Sequence, residues 1–413
     1  MQHVFLTDKI WKNGGKRKIL WTYLTIDFLT SMEIRSTSSA AASSDNTAKP
    51  TKKQNLTLEL TTPIDDRRPV YVVGNFNNWI TEQSRFKMQR VANGKFMFTF
   101  PTDVQLPQRL EYKYVRGGWE NKELDSFGNS TNNRVLEKPQ GLVNDFVARW
   151  SNYGLTFTPS FLPKIHIVSE AFYSPELKKS RRVVALLPHD YATQTHKRYP
   201  VLYLQDAQNL FDDKAPFGNW AIDKKLAVLA ECGMGDIIVI AVDHGGVTRI
   251  NEFLPPTKNT KLGASEGRKY VKFLAKTLKP HIDATFRTLT DRLHTGIGGS
   301  SMGGLVSIYG GLIHPEVFGR LMIFSPSLWA VQNAPFAAIR FFKPIPTKIY
   351  AYAGGNEEAS VVPNIRNFQK TIQSQGFDNS KIGFKLAVDP YGLHNERRWG
   401  EEFPKAVEWL FFN

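Results

Sequence analysis

Ser301 stands at the centre of Gly299-Ser300-Ser301-Met302-Gly303, inside "HTGIGGSSMGGLVSIYGG", which holds seven glycines and three serines over residues 294–311. Gly/Ser-rich chain is commonly flexible coil. The flanks argue otherwise, since "LHTGIGG" reads as a short strand and "LVSIYGGLI" is apolar and long enough to begin a helix. Gly-x-Ser-x-Gly between strand and helix is the spacing of a sharp turn that lifts a serine to its apex. The outer glycines are needed because the turn brings backbone segments too close for a Cβ. The chemistry on offer is nucleophilic attack by a serine hydroxyl.

Such a hydroxyl is a weak nucleophile until a base takes its proton and an acid orients the base. Downstream of Ser301 the only histidines are His314 and His394. His314, in "GLIHPEVFG", falls at a helix end before a proline, where a capping or surface role fits. His394, in "DPYGLHNERRW", occupies the last loop before the C-terminal helix, and strand-end loops carry functional groups in open α/β sheets. For the acid, "KIYAYAGGNEEAS" ends a strand and delivers Glu357 and Glu358. Glu357 is preferred, although both also suit a solvated helix start. Asp389 is the rival acid, but its place five residues before His394 reads better as a strand end. Developing negative charge needs two backbone N–H donors. Met302, directly after the nucleophile, supplies one, and Ala207 or Gln208, after "PVLYLQD", the other.

These groups need a scaffold. Residues 1–55 form a leader whose stretch 33–55, "EIRSTSSAAASSDNTAKPTKKQN", is polar and small enough to remain disordered. Over 56–147, short alternating segments ("LTLEL", "PVYVVGNF", "GKFMFTFP", "LEYKYVRG", "LVNDFVARW") are punctuated by Gly, Asn and Pro, which predicts a small all-β, immunoglobulin-like sandwich. A Pro-containing connector covers 148–165. From 166 to 413 strands and helices alternate, and "DIIVIAVD" is uniformly apolar, as in a parallel strand buried on both faces. The expected helices are "GNWAIDKKLAVLAECG", "SEGRKYVKFLAKTLKPHID", "IRNFQKTIQSQG" and a closing "EEFPKAVEWLFF". The fold class is α/β, doubly wound.

At 413 residues, with 41% hydrophobic and 22% charged residues, the chain suits a globular protein with a sizeable core. Its net charge of +15 is spread out, and residues 1–55 carry nine Lys/Arg against four Asp/Glu. No basic helix interleaved with aromatics occurs, so a solvated basic surface is expected rather than nucleic-acid binding. The single cysteine, Cys232, excludes intrachain disulfides and any cysteine-based metal site. No run of eighteen apolar residues predicts a membrane span. "KNGGKRK" followed by "ILWTYLTIDFLTSM" imitates an export signal, with "SSAAASS" as its cleavage region. Asp27 and the hydroxyl residues weaken that core, and Met32 is an alternative start. A cytoplasmic location is expected, with export as the alternative.

Together, "YPVLYLQDAQNLFD", "GNWAID…IIVIAVDHGGVTRINEF", "GGSSMGGL" and "GLHNERRWGEEFPKAVEWLF" resemble the esterase branch of the α/β-hydrolases. That branch includes enterochelin, feruloyl and acetyl-xylan esterases and S-formylglutathione hydrolases. The resemblance covers roughly residues 166–413 and implies Ser301 as nucleophile, His394 as base and Glu357 as acid. Asp206 to Asn209 match the family's Asp-Gly-Gln-Asn loop, with Ala207 in place of glycine, a departure that puts the loop's backbone angles in question. Asp206, Asn209, Trp220 and Arg249 are implied near the substrate, and Arg249 with Glu252 fits "R-x-x-E-F", which also suits a structural ion pair.

The earlier region, through "VYVVGNFNNW" and "LEYKYVRGGWENKELDSFGNSTNNRVL", is similar to starch- and glycogen-binding modules. This implies a sugar platform from Trp79 and Trp119. Related esterases use the domain as a lid or spacer, which is preferred here because tryptophans in a small sandwich usually serve its core. The leading expectation is a serine carboxyl-ester hydrolase working through an acyl-enzyme, without cofactor or metal, on a small-molecule or carbohydrate ester, including a siderophore-linked one. The alternatives are an acyltransferase to a sugar or lipid hydroxyl, and a carbohydrate-binding protein with a degenerate hydrolase domain. Neither the two halves of the ester nor the oligomeric state is legible.

Overall fold

Leu56, Leu58 and Leu60 alternate with less buried neighbours along the strand Leu56–Thr61, because successive strand side chains point to opposite faces. In the computed structural model, which describes residues 56–215, 217–257, 260–331, 345–374 and 381–413, this strand sits inside a four-stranded sheet. It pairs antiparallel with Lys95–Thr99 and parallel with Gly141–Phe146. Its leucines, with Phe96 and Phe98, share one core with Val72, Leu110, Tyr112 and Tyr114 of a second, three-stranded sheet. Trp150, 7% exposed, belongs to the same core. Its indole N–H donates to Thr62 Oγ1 at 3.1 Å, and the Arg116 guanidinium lies 4.6 Å from its ring. The N-terminal part of the described chain is thus β-rich. The leader over 1–55, with Met32 and the export question, lies outside the described residues.

The α/β part is built on an eight-stranded sheet among the described residues. In chain order its strands are β1 (Lys164–Ser174), β2 (Lys179–Leu187), β3 (Val201–Gln205), β4 (Ile238–Val242), β5 (Thr295–Ser300), β6 (Arg320–Phe324), β7 (Thr347–Gly354) and β8 (Ile382–Asp389). Their spatial order is β1-β2-β4-β3-β5-β6-β7-β8. Strand β2 runs antiparallel to both its neighbours, β1 and β4, and every other pair is parallel, so the C-terminal ends of β3 to β8 share one edge. Every residue of β3, β4 and β5 is buried, as a central strand covered on both faces requires. The helices are α1 (Ile222–Glu231), α2 (Arg249–Phe253), α3 (Gly267–Phe273, continued by a π-helical turn, Leu274–Leu278, into Lys279–Thr285), α4 (Met302–Ile313), α5 (Val361–Ser374) and α6 (Glu396–Val407). This is the α/β-hydrolase fold.

Three boundaries differ from expectation. Strand β1 begins at Lys164, inside the presumed connector, because its exposed face carries no clear apolar alternation. Helix α1 starts at Ile222 rather than near Gly218, since Ala221 takes a left-handed conformation (φ 53°) that interrupts the turn. Helix α6 starts five residues before the expected Glu401, at Glu396, because the Asn395 side chain accepts the Arg398 N–H and caps it.

A buried ion cluster ties β2 to α2. Glu252 is fully buried and accepts from Arg181 Nη1 at 2.9 Å, Lys179 Nζ at 3.0 Å and Thr248 Oγ1 at 2.7 Å. Burial alone would raise its carboxyl; the bonds from Arg181, Thr248 and Lys179 outweigh burial and hold it below the ordinary 4.5. A carboxyl lowered on folding stabilises fully above its unfolded value, and that contribution is lost as pH falls through the folded value. Glu252→Gln is expected to cost about 3–5 kcal/mol at neutral pH, because Arg181 is left buried without its partner. Urea unfolding followed against pH should also show a flatter loss of stability below pH 4.5 in the variant. An identical acid limb in both proteins would contradict this assignment.

Candidate active site

Strand β5 hands the chain to α4 through Ser301, whose backbone has φ 55° and ψ −123°. A non-glycine residue there is strained, and the neighbours hold it: Ser301 N–H donates to Phe324 O at 3.0 Å, and Leu305 N–H donates to Ser301 O at 3.0 Å. A Cβ on Gly299 would come within 2.9 Å of the Gly303 carbonyl carbon, so the close approach excludes a side chain. Ser300 closes β5 and is buried; Ser301 occupies the apex. Its Oγ lies 3.1 Å from Ser327 Oγ. Among the described residues no hydrogen bond joins Ser301 to His394, a contact that often closes only with substrate present.

His394 and Glu357 meet as the sequence predicts. His394 Nδ1 is 2.7 Å from Glu357 Oε2, and the glutamate side chain has 0% exposure against 41% for the histidine. Glu357 Oε1 also accepts from Gly354 N–H at 2.7 Å and Ser325 Oγ at 2.6 Å. The rival acid is engaged elsewhere, because Asp389 accepts from Arg398 Nε at 2.8 Å and Tyr391 N–H at 3.0 Å. Glu358 is exposed. His314 caps the C-terminal end of α4 and lies 3.2 Å from Glu316.

Across the sheet edge, Asp206 takes the left-handed conformation (φ 61°) and opens the short helix Ala207–Asn209. Ala207 itself has no positive φ, so its methyl is compatible with the loop. Among the described residues, the Ala207 and Met302 N–H groups have no backbone acceptor, the latter because the first turn of a helix leaves its donors free. The Gln208 amide clamps its own loop to the one after β4. It accepts His244 N–H at 3.1 Å and donates to His244 O at 3.3 Å. Burial lowers the His244 imidazole, whose Nδ1 accepts Gly246 N–H at 3.0 Å.

The expected substrate contacts divide. Asp206 and Arg249 form a bidentate pair at 2.6 and 2.7 Å, so Arg249 pairs with Asp206 and not with Glu252. Asn209 Nδ2 donates to Glu396 Oε1 at 3.5 Å, and burial raises the Glu396 carboxyl. Trp220, expected near substrate, is 3% exposed and stacked on Phe324, 5.4 Å between centroids. It is a core residue, because Phe324 of β6 and Trp399 and Phe403 of α6 enclose it. Trp79 and Trp119 lie 6.1 Å apart at a 40° tilt, and Trp119 is exposed. Trp79 is half-buried, and neither ring belongs to the core of the β-rich region, whose tryptophan is Trp150.

The family model described as "Esterase: Putative esterase" matches residues 174–410, more than half of the chain. The chain belongs to this esterase family. An uncharacterized Bacillus subtilis protein, YbbA, is 22% identical over 245 residues, which cover 56% of this chain and 93% of the relative. An amylopullulanase of Thermoanaerobacterium thermosulfurigenes is 32% identical over 98 residues, 22% of this chain and 5% of the relative. Among solved structures, the enterobactin esterase FES of Shigella flexneri aligns at 16% identity and TM-score 0.46, covering 88% of this chain and 95% of its own.

Sequence reasoning about this esterase missed Ser325, Ser327 and Trp399. The available signal was "SPS" directly after the apolar strand "RLMIF", small polar residues on the edge that carries the elbow. Among the described residues no group of three acidic, histidine or cysteine side chains could hold a metal, and no helix is long and apolar enough to cross a membrane. Gly299→Ala should lower the thermal midpoint, with overpacking costing about 1–3 kcal/mol, and should slow hydrolysis of p-nitrophenyl acetate by opening the elbow. Unchanged hydrolysis in a folded variant would show that the close approach at Gly299 does not matter to the turn.

Proposed function

We propose that this esterase cleaves carboxyl esters through an acyl-enzyme on Ser301. The observation that carries the reading is the buried Glu357 carboxylate on His394 Nδ1. That contact leaves Nε2 of His394 as the nitrogen that takes the Ser301 proton. As Ser301 Oγ bonds to the ester carbon, the carbonyl oxygen gains negative charge and turns to the N–H groups of Met302 and of Ala207 or Gln208. His394 returns its proton to the leaving alkoxide as the carbon–oxygen bond breaks. Water, deprotonated by the same nitrogen, then attacks the acyl-enzyme, and the acid leaves with Ser301 restored. No step requires a cofactor or metal.

Substitution separates the roles. Ser301→Ala should lower kcat/KM for an aryl ester by about three to six orders of magnitude, while Ser300→Ala keeps most activity. Glu357→Gln should cost about three to four orders, because an amide cannot both orient the imidazole and stabilise its cation. A fatal Ser300 variant, or an Asp389→Asn variant as damaged as Glu357→Gln, would overturn the assignment.

The substrate we propose is a carbohydrate-linked ester. Trp79 and Trp119 are paired outside the core, and aromatic faces suit the apolar faces of sugar rings. The stretch of identity to an amylopullulanase supports the same reading. The intact protein should be retained on a soluble glucan in affinity electrophoresis, and a Trp79→Ala/Trp119→Ala variant should not, with aryl-ester hydrolysis intact in both. Free migration of the wild-type protein would favour a lid or spacer instead.

A further inference from the structure

We infer that Ser325 and Trp399 form a positioning pair that fixes the Glu357 carboxylate for His394. The inference rests on the Ser301–His394–Glu357 reading and gives roles to two residues that the mechanism above does not use.

The hydrogen-bond inventory sets the direction of each proton. Trp399 Nε1 lies 3.0 Å from Ser325 Oγ, and an indole nitrogen only donates. Ser325 Oγ therefore accepts there, and its single proton is left for Glu357 Oε1 at 2.6 Å. Without the indole, the hydroxyl could rotate. With it, the hydroxyl is committed as a donor to the glutamate. Gly354 N–H reaches the same Oε1 at 2.7 Å, so this oxygen is held from two sides while Oε2 meets His394. Oε1 is the anchored oxygen and Oε2 the working one.

Trp399 also reaches the histidine directly. Its ring lies 4.8 Å from the His394 imidazole at 82°, a T-shaped contact. One buried side chain of α6, 3% exposed, thus restrains the base by packing and the acid through a serine. Ser325 keeps its place at a cost, since its φ of 42° is a conformation that favours glycine. A serine there supplies what glycine lacks, a hydroxyl facing Glu357. The backbone is held as well, with Ser325 N–H donating to Tyr352 O at 2.8 Å.

The test is the steady-state hydrolysis of p-nitrophenyl acetate by full-length Ser325→Ala, Ser325→Gly, Trp399→Phe and the Ser325→Ala/Trp399→Phe double variant, beside Glu357→Gln, with thermal midpoints for all. Glycine suits the positive φ, so Ser325→Gly removes the hydroxyl even if Ser325→Ala folds poorly. The Ser325 variants should lose about 10–100-fold in kcat, the size expected for loss of a hydrogen bond to a charged group, with KM little changed. Trp399→Phe should lower kcat by itself but add less than about twofold in the Ser325→Ala background, because both changes break one chain of contacts. A merely structural role would lower the midpoints and multiply independently. Wild-type kcat in a folded Ser325→Gly variant, or full multiplication in the double variant, overturns the pairing. Glu357→Gln tells this from failure of the triad itself: if it keeps full activity, the underlying reading fails; if it is crippled while the Ser325 variants are not, only the pairing fails.

Discussion

A carboxylate shut away from water is the constraint around which the ends of β6, β7 and β8 are arranged. Glu357 has no exposed side-chain surface and three donors, from His394, Gly354 and Ser325. Burying a charge is costly unless it is fully hydrogen bonded, so each donor must be delivered by a separate element at a fixed place. The end of β7 gives the Gly354 N–H, the loop after β6 the serine, and the loop after β8 the imidazole. That requirement makes the parallel order β6-β7-β8 matter to chemistry, since it brings three consecutive strand ends to one carboxylate.

The second constraint is the strained serine between β5 and α4. Ser301 stays at φ 55° because the β6 edge restrains it, through Phe324 O and the Ser327 backbone and hydroxyl. The segment Phe324-Ser325-Pro326-Ser327 thus touches Ser301 on one side and Glu357 on the other. In the loop after β3, the bidentate Asp206–Arg249 pair and the Gln208 clamp on His244 hold the backbone in place. Both arrangements rest on closely packed backbone, which is why glycines crowd the elbow.

Much of this was legible in residue order. Uniform apolar runs such as "DIIVIAVD" fixed the central strands, and the Gly-x-Ser-x-Gly spacing with one histidine in the last loop pointed to Ser301 and His394. That Glu357 rather than Asp389 meets His394 was also legible, since an acid five residues before the histidine falls at a strand end, where Arg398 takes it. What stayed hidden depends on contacts between distant elements. Nothing local to "RLMIFSPS" says that Ser325 faces Glu357, and nothing local to Trp220 says that α6 covers it. The first strand of the large sheet was missed because it is an exposed edge strand, where burial imposes no alternation. Nothing local to Trp79, Trp119 or Trp150 says that only the last of the three joins the core of the β-rich region.

The central claim, that Ser301, His394 and the buried Glu357 act as one unit, is met most directly by a crystal structure of the protein inactivated with a fluorophosphonate. The account predicts phosphorus bonded to Ser301 Oγ, the phosphoryl oxygen about 2.7–3.1 Å from the Met302 and Ala207 or Gln208 N–H groups, and His394 still seated on Glu357 Oε2. Phosphorus on another residue, or a phosphoryl oxygen turned to solvent with His394 swung away from Glu357, would contradict it.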